Sequence, residues 1–438
     1  MSFFVDALSS VDSTASDVEP PWIVDLRARG RETFALLGVP SKRHEKWKYT
    51  SLRAAEQVAF SIPDATGDAP VPDRPLPAAG GDVMNARLVF INGRLCRHLS
   101  TVTHLPDGVR LAGLREVLDQ NRPEVAEHLG RIAPLNGKAM PALNAALFED
   151  GFTLFVEPGT VVKEAIEIVW AGGQRDMPTA CFPRNLVVLG TGSRATLIER
   201  YAGGDAGVTF ANSLTEIAVA ESGALVHIRQ QDENGDAFHV ASISADIAQG
   251  GSYKAFTFSL GTHLARNDWE IRLVGSDSEC NLSGVYMLRE HQHCDNTTVI
   301  RHCAPRTRCR EVFKGVVDDD AHAVFQGSIV VERDAQQADG QQVSKAILLS
   351  DRAEVDQKPE LEISANDVKC SHGAAVGQLD AMALFYLRSR GIPEAMARRI
   401  LVEGFLAEAF DEIGDAAIRS EMTARASTWF DERMPAEQ

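Results

Sequence analysis

Near its carboxyl end the chain carries a cysteine and a histidine two residues apart, Cys370 and His372, in the segment KCSHGA (369–374). In extended chain, residues two apart point to the same side of a strand. A soft thiolate beside an imidazole can hold a transition metal or an iron–sulfur centre. The same two residues also describe a buried cysteine and a hydrogen-bonded histidine packed under the next helix, since cysteine is among the most often buried side chains. A second group of ligating side chains precedes it: His291, His293, Cys294, His302, Cys303 and Cys309. Read as zinc ligands they lack a paired C-x-x-C framework, so scattered structural roles compete with a metal site. Asp318, Asp319 and Asp320 suit either a calcium or polysaccharide site or a solvated acidic corner, and no partner carboxylate can be named for the former. The sequence contains no Walker A loop, no dinucleotide fingerprint, no G-x-S-x-G and no H-E-x-x-H, which removes the commonest catalytic machines.

The elements that must position Cys370 and His372 are short strands. From about residue 151 helical periodicity gives way to segments such as AIEIVW, NLVVLG, ATLIERY, ALVHIRQ and AVFQGSIVV, each of normal strand length. Small or acidic corners recur between them, at Gly192-Ser193, Ser222-Gly223, Gly250-Gly251, Ser276-Asp277, Asp319-Asp320 and Asp351-Arg352. Most of the intervals, roughly 24 to 31 residues, predict a coiled stack in which each turn carries two or three strands. An antiparallel sandwich or a cupin-like roll is the alternative.

The flanks read differently. Trp22, Ile23, Leu26, Phe34 and Leu37 have helical spacing that stops at Gly38-Val39-Pro40, after some twenty residues that read as loosely ordered. The cationic stretch 41–52, with Trp47 and Tyr49, predicts a turn docked on the body by its tryptophan. Residues 61–83 read as a loop, 86–100 as a hairpin turning at Asn92-Gly93, 114–132 as a helix broken at Pro123, and 141–148 as a short helix. After Asp380 three helical stripes follow, broken at Gly391-Ile392-Pro393 and Gly414-Asp415, and they predict caps for the end of the stack. The expected organisation is a mixed, largely helical region over 1–150, a β core over 151–380 and a helical region over 381–438.

Net charge is −17, from 61 acidic and 44 basic side chains, the wrong sign for a nucleic-acid surface. No apolar run of about 18 residues predicts a membrane span. An acid at Asp6 and the lack of a basic opening argue against a signal peptide. Seven cysteines without a secretory leader are expected to be reduced thiols of a cytoplasmic protein.

The block VFQGSIVVERDAQQADGQQ (324–342), followed by LLS, AEVDQKPELEI, DVKCSHGA and LFYLRSRGI, resembles the SufB/SufD family of iron–sulfur cluster assembly proteins. EKWKYTSL (45–52), after Gly38-Val39-Pro40, is similar to the opening of its SufD-type members, which the chain resembles most. The likeness is strongest over residues 310 to 410. It implies a right-handed parallel β-helix with helical flanks. It also implies a complex in which a SufC-like ATPase docks on the C-terminal helices, near Ile400, Phe405 and Phe410. A SufB-like chain would pair through its β-helix, and a transient iron–sulfur cluster would form at that interface. His372 matches the histidine proposed there as a cluster ligand, and Cys370 matches a family cysteine on the same strand. Ala338, Ser344, Asn366 and Ala375 depart from the usual threonine, asparagine, aspartate and threonine, and none of them touches the Cys-x-His pair. On this resemblance the chain is a non-enzymatic scaffold. The rivals are a β-helical carbohydrate-acting or metal-dependent enzyme, which needs a carboxylate pair or histidine triad that cannot be assembled here, and a homodimeric structural protein.

Overall fold

Strands buried on both faces read as near-continuous apolar runs, and strands stacked in a coil must pair in parallel. Both conditions are met in the computed structural model, which describes residues 3–11, 19–63, 76, 86–103, 105–172, 177–203, 207–233 and 235–432. From Phe152 to Gln378 the chain winds as a parallel β-solenoid of about 8 turns. Each turn places one strand in each of two sheets. Stacked positions Arg194, Ala224, Ser252, Glu279, Arg308, Asp339 and Lys369 follow one another at 27 to 31 residues. The turn therefore holds two strands, and the sandwich alternative is excluded.

The recurring corners have a local cause. Ser222, Asp277 and Asp319 adopt left-handed backbone (φ 56, 62 and 50), a conformation that short polar side chains tolerate better than others. Successive corners join by backbone hydrogen bonds, Gly192 to Glu221, Ser222 to Gln249, Gly250 to Ser276 and Asp277 to Pro305. Inside, side chains stack in files: Ile271, Ile300, Ile329 and Leu361 occupy equivalent positions of successive turns.

The flanking segments cover sheet faces. Outward-pointing Ile198, Ile228, Phe256, Phe258, Val285 and Val316 are apolar, and helices Glu394–Phe410 and Ala416–Asp431 bury them with Val402, Leu406, Phe410, Met422 and Trp429. The expectation that these helices close the end of the stack is thus corrected: they lie along its side. The amino-terminal region covers the other sheet. Helix Pro21–Leu37 crosses Ala139–Leu147 so closely that a Cβ on Gly30 would lie 2.7 Å from the Ala142 carbonyl oxygen. Within the stretch expected to be loosely ordered, Phe3–Val11 forms a helix whose Phe4 meets Phe210 edge to face at 5.0 Å, and residues 12–18 lie outside the described ones. The loop expected over 61–83 falls mostly outside the described residues. The hairpin turns at Asn92-Gly93 as its sequence dictates, with φ of 50 and 80. Strand Ala86–Ile91 pairs with Ile166–Gly172, so the amino-terminal region finishes the first turn. Among the described residues no helix is long and apolar enough to cross a membrane.

Candidate functional site at the open end

Among the described residues, no turn stacks beyond the last one, strands Glu354–Ile363 and Val368–Gln378. Both strands are exposed or half-buried along their length, whereas His322–Val331 is buried nearly throughout and Ala338–Leu348 at alternate positions. Cys370 and His372 lie on the second of these strands, opposite Gly340 and Gln342 of the turn beneath. Gly340 and Gln342 point into the solenoid, so Cys370 and His372 share the inward face of a turn that nothing covers. The same-side placement expected from the spacing is met.

The two side chains differ in setting. Cys370 is half-buried against the core, and its sulfur leans over the space left by Gly340, where a Cβ would come within 3.4 Å. Burial raises the pKa of its thiol, opposed by the Gly340 backbone N–H. His372 is exposed and makes no side-chain hydrogen bond among the described residues. A metal or cluster bound here would find a free imidazole at the rim and, one step deeper, a thiol that must lose its proton.

The register reveals what spacing alone did not. The Cys370 position continues downward as a file of Gly340, Cys309, Cys280 and Tyr253. His302 enters from the opposite sheet with Nε2 3.2 Å from the Cys309 sulfur. The Thr307 hydroxyl donates to the Ala304 carbonyl, so His302 Nδ1–H donates to Thr307 Oγ1 at 2.7 Å and Nε2 accepts from the thiol. Burial pushes the pKa of His302 down to about 4, which keeps the ring neutral. The 291–309 cluster therefore divides. Cys294, His302 and Cys309 point inward, His293 sits outside beneath Thr50, His291 lies in an exposed corner, and Cys303 is half-buried beside Glu332. A single zinc site from this stretch is not formed.

A parallel file runs beneath His372. Gln342 donates to Glu311, 2.5 Å away, and Glu311 is wholly enclosed. Burial drives the carboxyl pKa up to about 7. A carboxyl whose folded pKa lies above its unfolded value holds its extra proton only in the folded state. Stability from this group is therefore full below about pH 4.5 and is lost as pH rises to about 7, by up to about 3 kcal/mol. Glu311→Gln keeps the acceptor for Gln342 and removes the titration. Urea unfolding at pH 5 and pH 8 should show the variant gaining on the parent at the higher pH; parallel behaviour at both would reject the assignment.

The docked turn near residue 47 behaves as its tryptophan predicts. Trp47 lies on the outer face of the sheet that the amino-terminal region covers, with the Arg266 guanidinium 4.1 Å from its ring centre. Thr50 donates to Asp295, Gln326 donates to the Lys46 carbonyl, and Lys358 pairs with Glu45 at 2.6 Å. The turn and the sheet enclose a cavity of about 380 Å³.

The C-terminal helices split the three expected docking residues. Ile400 is exposed, Phe405 is half-buried over Lys314, and Phe410 is 3% exposed against Phe258. Phe410 supports the helix from beneath, which corrects its placement on a docking face. The outward apolar surface comprises Met382, Phe385, Tyr386, Met396 and Ile400. No residue of helix Ala381–Ser389 is buried.

The fold is thus a parallel β-solenoid with helices along its flanks and a cysteine and a histidine on its bare terminal turn. The chain belongs to the SufBD family: a model described as the SUF system FeS cluster assembly SufBD core domain matches residues 170–405, and one for the SufBD protein N-terminal region matches residues 3–168. It is 30% identical over 419 residues to an iron–sulfur cluster assembly SufBD family protein of Synechocystis sp., covering 93% of this chain and 91% of that one. It is also 30% identical over 402 residues to the iron–sulfur cluster assembly protein SufD of Escherichia coli (89% and 88% covered), and 25% identical over 433 residues to SufD of Bacillus subtilis (93% of each). Its role lies in iron–sulfur cluster assembly.

Proposed function

We propose that this chain is a SufD-like scaffold subunit whose open end supplies half of a cluster-assembly site. His372 is the outer ligand and Cys370 stands behind it. A SufB-like chain stacks its own β-helix on the uncovered turn and completes the site. The observation that carries this reading is the terminal turn itself, with its inward face bare and its two ligating side chains presented there. Cluster iron and sulfide are cargo, and the chain performs no turnover of its own in the cytoplasm.

The helical flank docks a SufC-like ATPase through Met382, Phe385, Tyr386, Met396 and Ile400. Its coupling to the cluster site has a physical route. Lys314, on the sheet that ends at Cys370 and His372, donates to the Phe405 carbonyl at 2.6 Å and pairs with Glu408. Displacement of helix Glu394–Phe410 is thereby transmitted to a stiff stack of strands. Anaerobic co-expression with the SufB-like and SufC-like chains of the same genome tests the reading. A ternary complex carrying iron and sulfide is expected, and a chain that elutes alone or only as a homodimer refutes it.

Phe385→Asp addresses the ATPase face separately. The side chain is 67% exposed, so folding should be preserved. Co-purification of the ATPase should fall at least tenfold while the SufB-like chain is retained, because a charge placed in an apolar contact centre costs about 2 kcal/mol or more. Retention of the ATPase would move the docking surface elsewhere.

A further inference from the structure

Away from the open-end ligands, on the outer face of the sheet that finishes with Glu354–Ile363, three other side chains converge. One ring nitrogen of His322 and one carboxylate oxygen each from Glu354 and Asp356 all lie within 4.8 Å of one another. Their meeting follows from the register. His322 pairs directly with Glu354 on the next turn, and Asp356 stands two residues further along the same face. His322 Nε2 is 2.9 Å from Asp356 Oδ2.

We propose that His322, Glu354 and Asp356 form a binding site for a divalent first-row transition metal, separate from Cys370 and His372. An imidazole–carboxylate ion pair explains Asp356 and leaves Glu354 unexplained. Two carboxylates beside one ring repel each other unless a cation joins them. The nearby cations are engaged elsewhere: Arg352 pairs with Asp320, and Lys358 with Glu45 and Glu360. Among the described residues neither Glu354 nor Asp356 pairs with a lysine or arginine.

The chemistry of the three donors selects the ion. One imidazole and two carboxylates suit Zn²⁺, Mn²⁺ or Fe²⁺ and disfavour Cu⁺, which prefers sulfur. Ligand-to-metal distances near 2.0–2.2 Å require donors about 3–4 Å apart, which the exposed Glu354 reaches by rotation, and water completes the shell. The ring of His322 is held from the far side by His293, with ring centres 4.9 Å apart. His293 is in turn fixed through Nε2 at 2.9 Å from Thr50 Oγ1, so the imidazole donor is positioned before any metal arrives. An ion here ties the last turn to the one beneath it.

Calorimetric titration with Zn²⁺ of the full chain, under reducing conditions and in a Cys370→Ser/His372→Ala background, tests the site. The background should retain one equivalent that His322→Ala removes or weakens at least tenfold. Glu354→Gln and Asp356→Asn, which change one atom each at the surface, should weaken it similarly while leaving the circular dichroism spectrum intact. An isotherm unchanged by His322→Ala, or no Zn²⁺ binding in the background protein, overturns the proposal.

Discussion

His372→Ala should abolish cluster assembly in cells that depend on this chain and leave the chain folded and able to hold the ATPase. The asymmetry comes from where the imidazole sits. It is exposed on the terminal strand and makes no side-chain hydrogen bond among the described residues, and replacing such a surface group changes stability by about 0.5 kcal/mol or less. On the proposed reading the imidazole is a ligand shared between two chains, with no substitute once removed, so the functional effect is expected to be near total. Cys370→Ser should be milder, since the thiol is half-buried and burial disfavours its thiolate. The check is the activity of iron–sulfur enzymes in a strain whose only copy of the gene carries the change, alongside co-purification of the ATPase. Normal enzyme activity would remove His372 from the site.

Glu216→Ala is expected to have the largest effect on stability. The carboxylate is wholly enclosed. It accepts the backbone N–H groups of Gly130 at 2.8 Å and of Ile132 and Ala133 at 3.0 Å, and it pairs with Arg184 at 2.5 Å. Arg184 is itself buried, with Asn144 at 3.3 Å and Phe148 beneath its guanidinium. Truncation leaves a buried cation and three donors without their acceptor. Breaking a buried pair in this way costs about 3–5 kcal/mol, and the orphaned donors add to it. The amino-terminal region should detach before the solenoid melts, so segment 114–150 should become the first site of limited proteolysis. A denaturation midpoint within the equivalent of about 1 kcal/mol of the parent would contradict this account.

Much of the fold was legible because strand and corner repeat on the same interval. The corners at Ser222, Asp277 and Asp319 carried the signal, since their left-handed backbone is a local property. The placement of the C-terminal helices was not legible. Outward Ile198, Phe256 and Phe258 and inward Leu197, Ala255 and Thr257 lie in strands buried on both faces, where no alternation shows which side takes a cover. Phe410 read as part of a helical stripe, and only the sheet beneath it reveals which way the stripe faces. The Cys-x-His pair was visible from spacing, but the file of Cys280, Cys309 and Gly340 beneath it was hidden, because its members are 29 to 31 residues apart and the glycine interrupts it. His302 was noticed for the wrong neighbour: Cys303 adjoins it in sequence, whereas Cys309 meets it across the interior. The Glu216 cluster combines a loop and two strands from three separate regions and leaves no pattern in the sequence.

The bare last turn also grades the rod along its length. Each interior turn is held by neighbours above and below, while strands Glu354–Ile363 and Val368–Gln378 are held on one side only. In a stack of near-independent layers, opening proceeds from the unprotected layer inward. Cys370 and His372 thus ride on the layer that frays first, and the first turn, sealed by Ala86–Ile91 and Val109–Gly113, frays last. On the proposed pairing, a partner that settles on this end would gain the ligands and quench the fraying in one event, and chains without a partner would be the ones exposed to proteolysis and self-association.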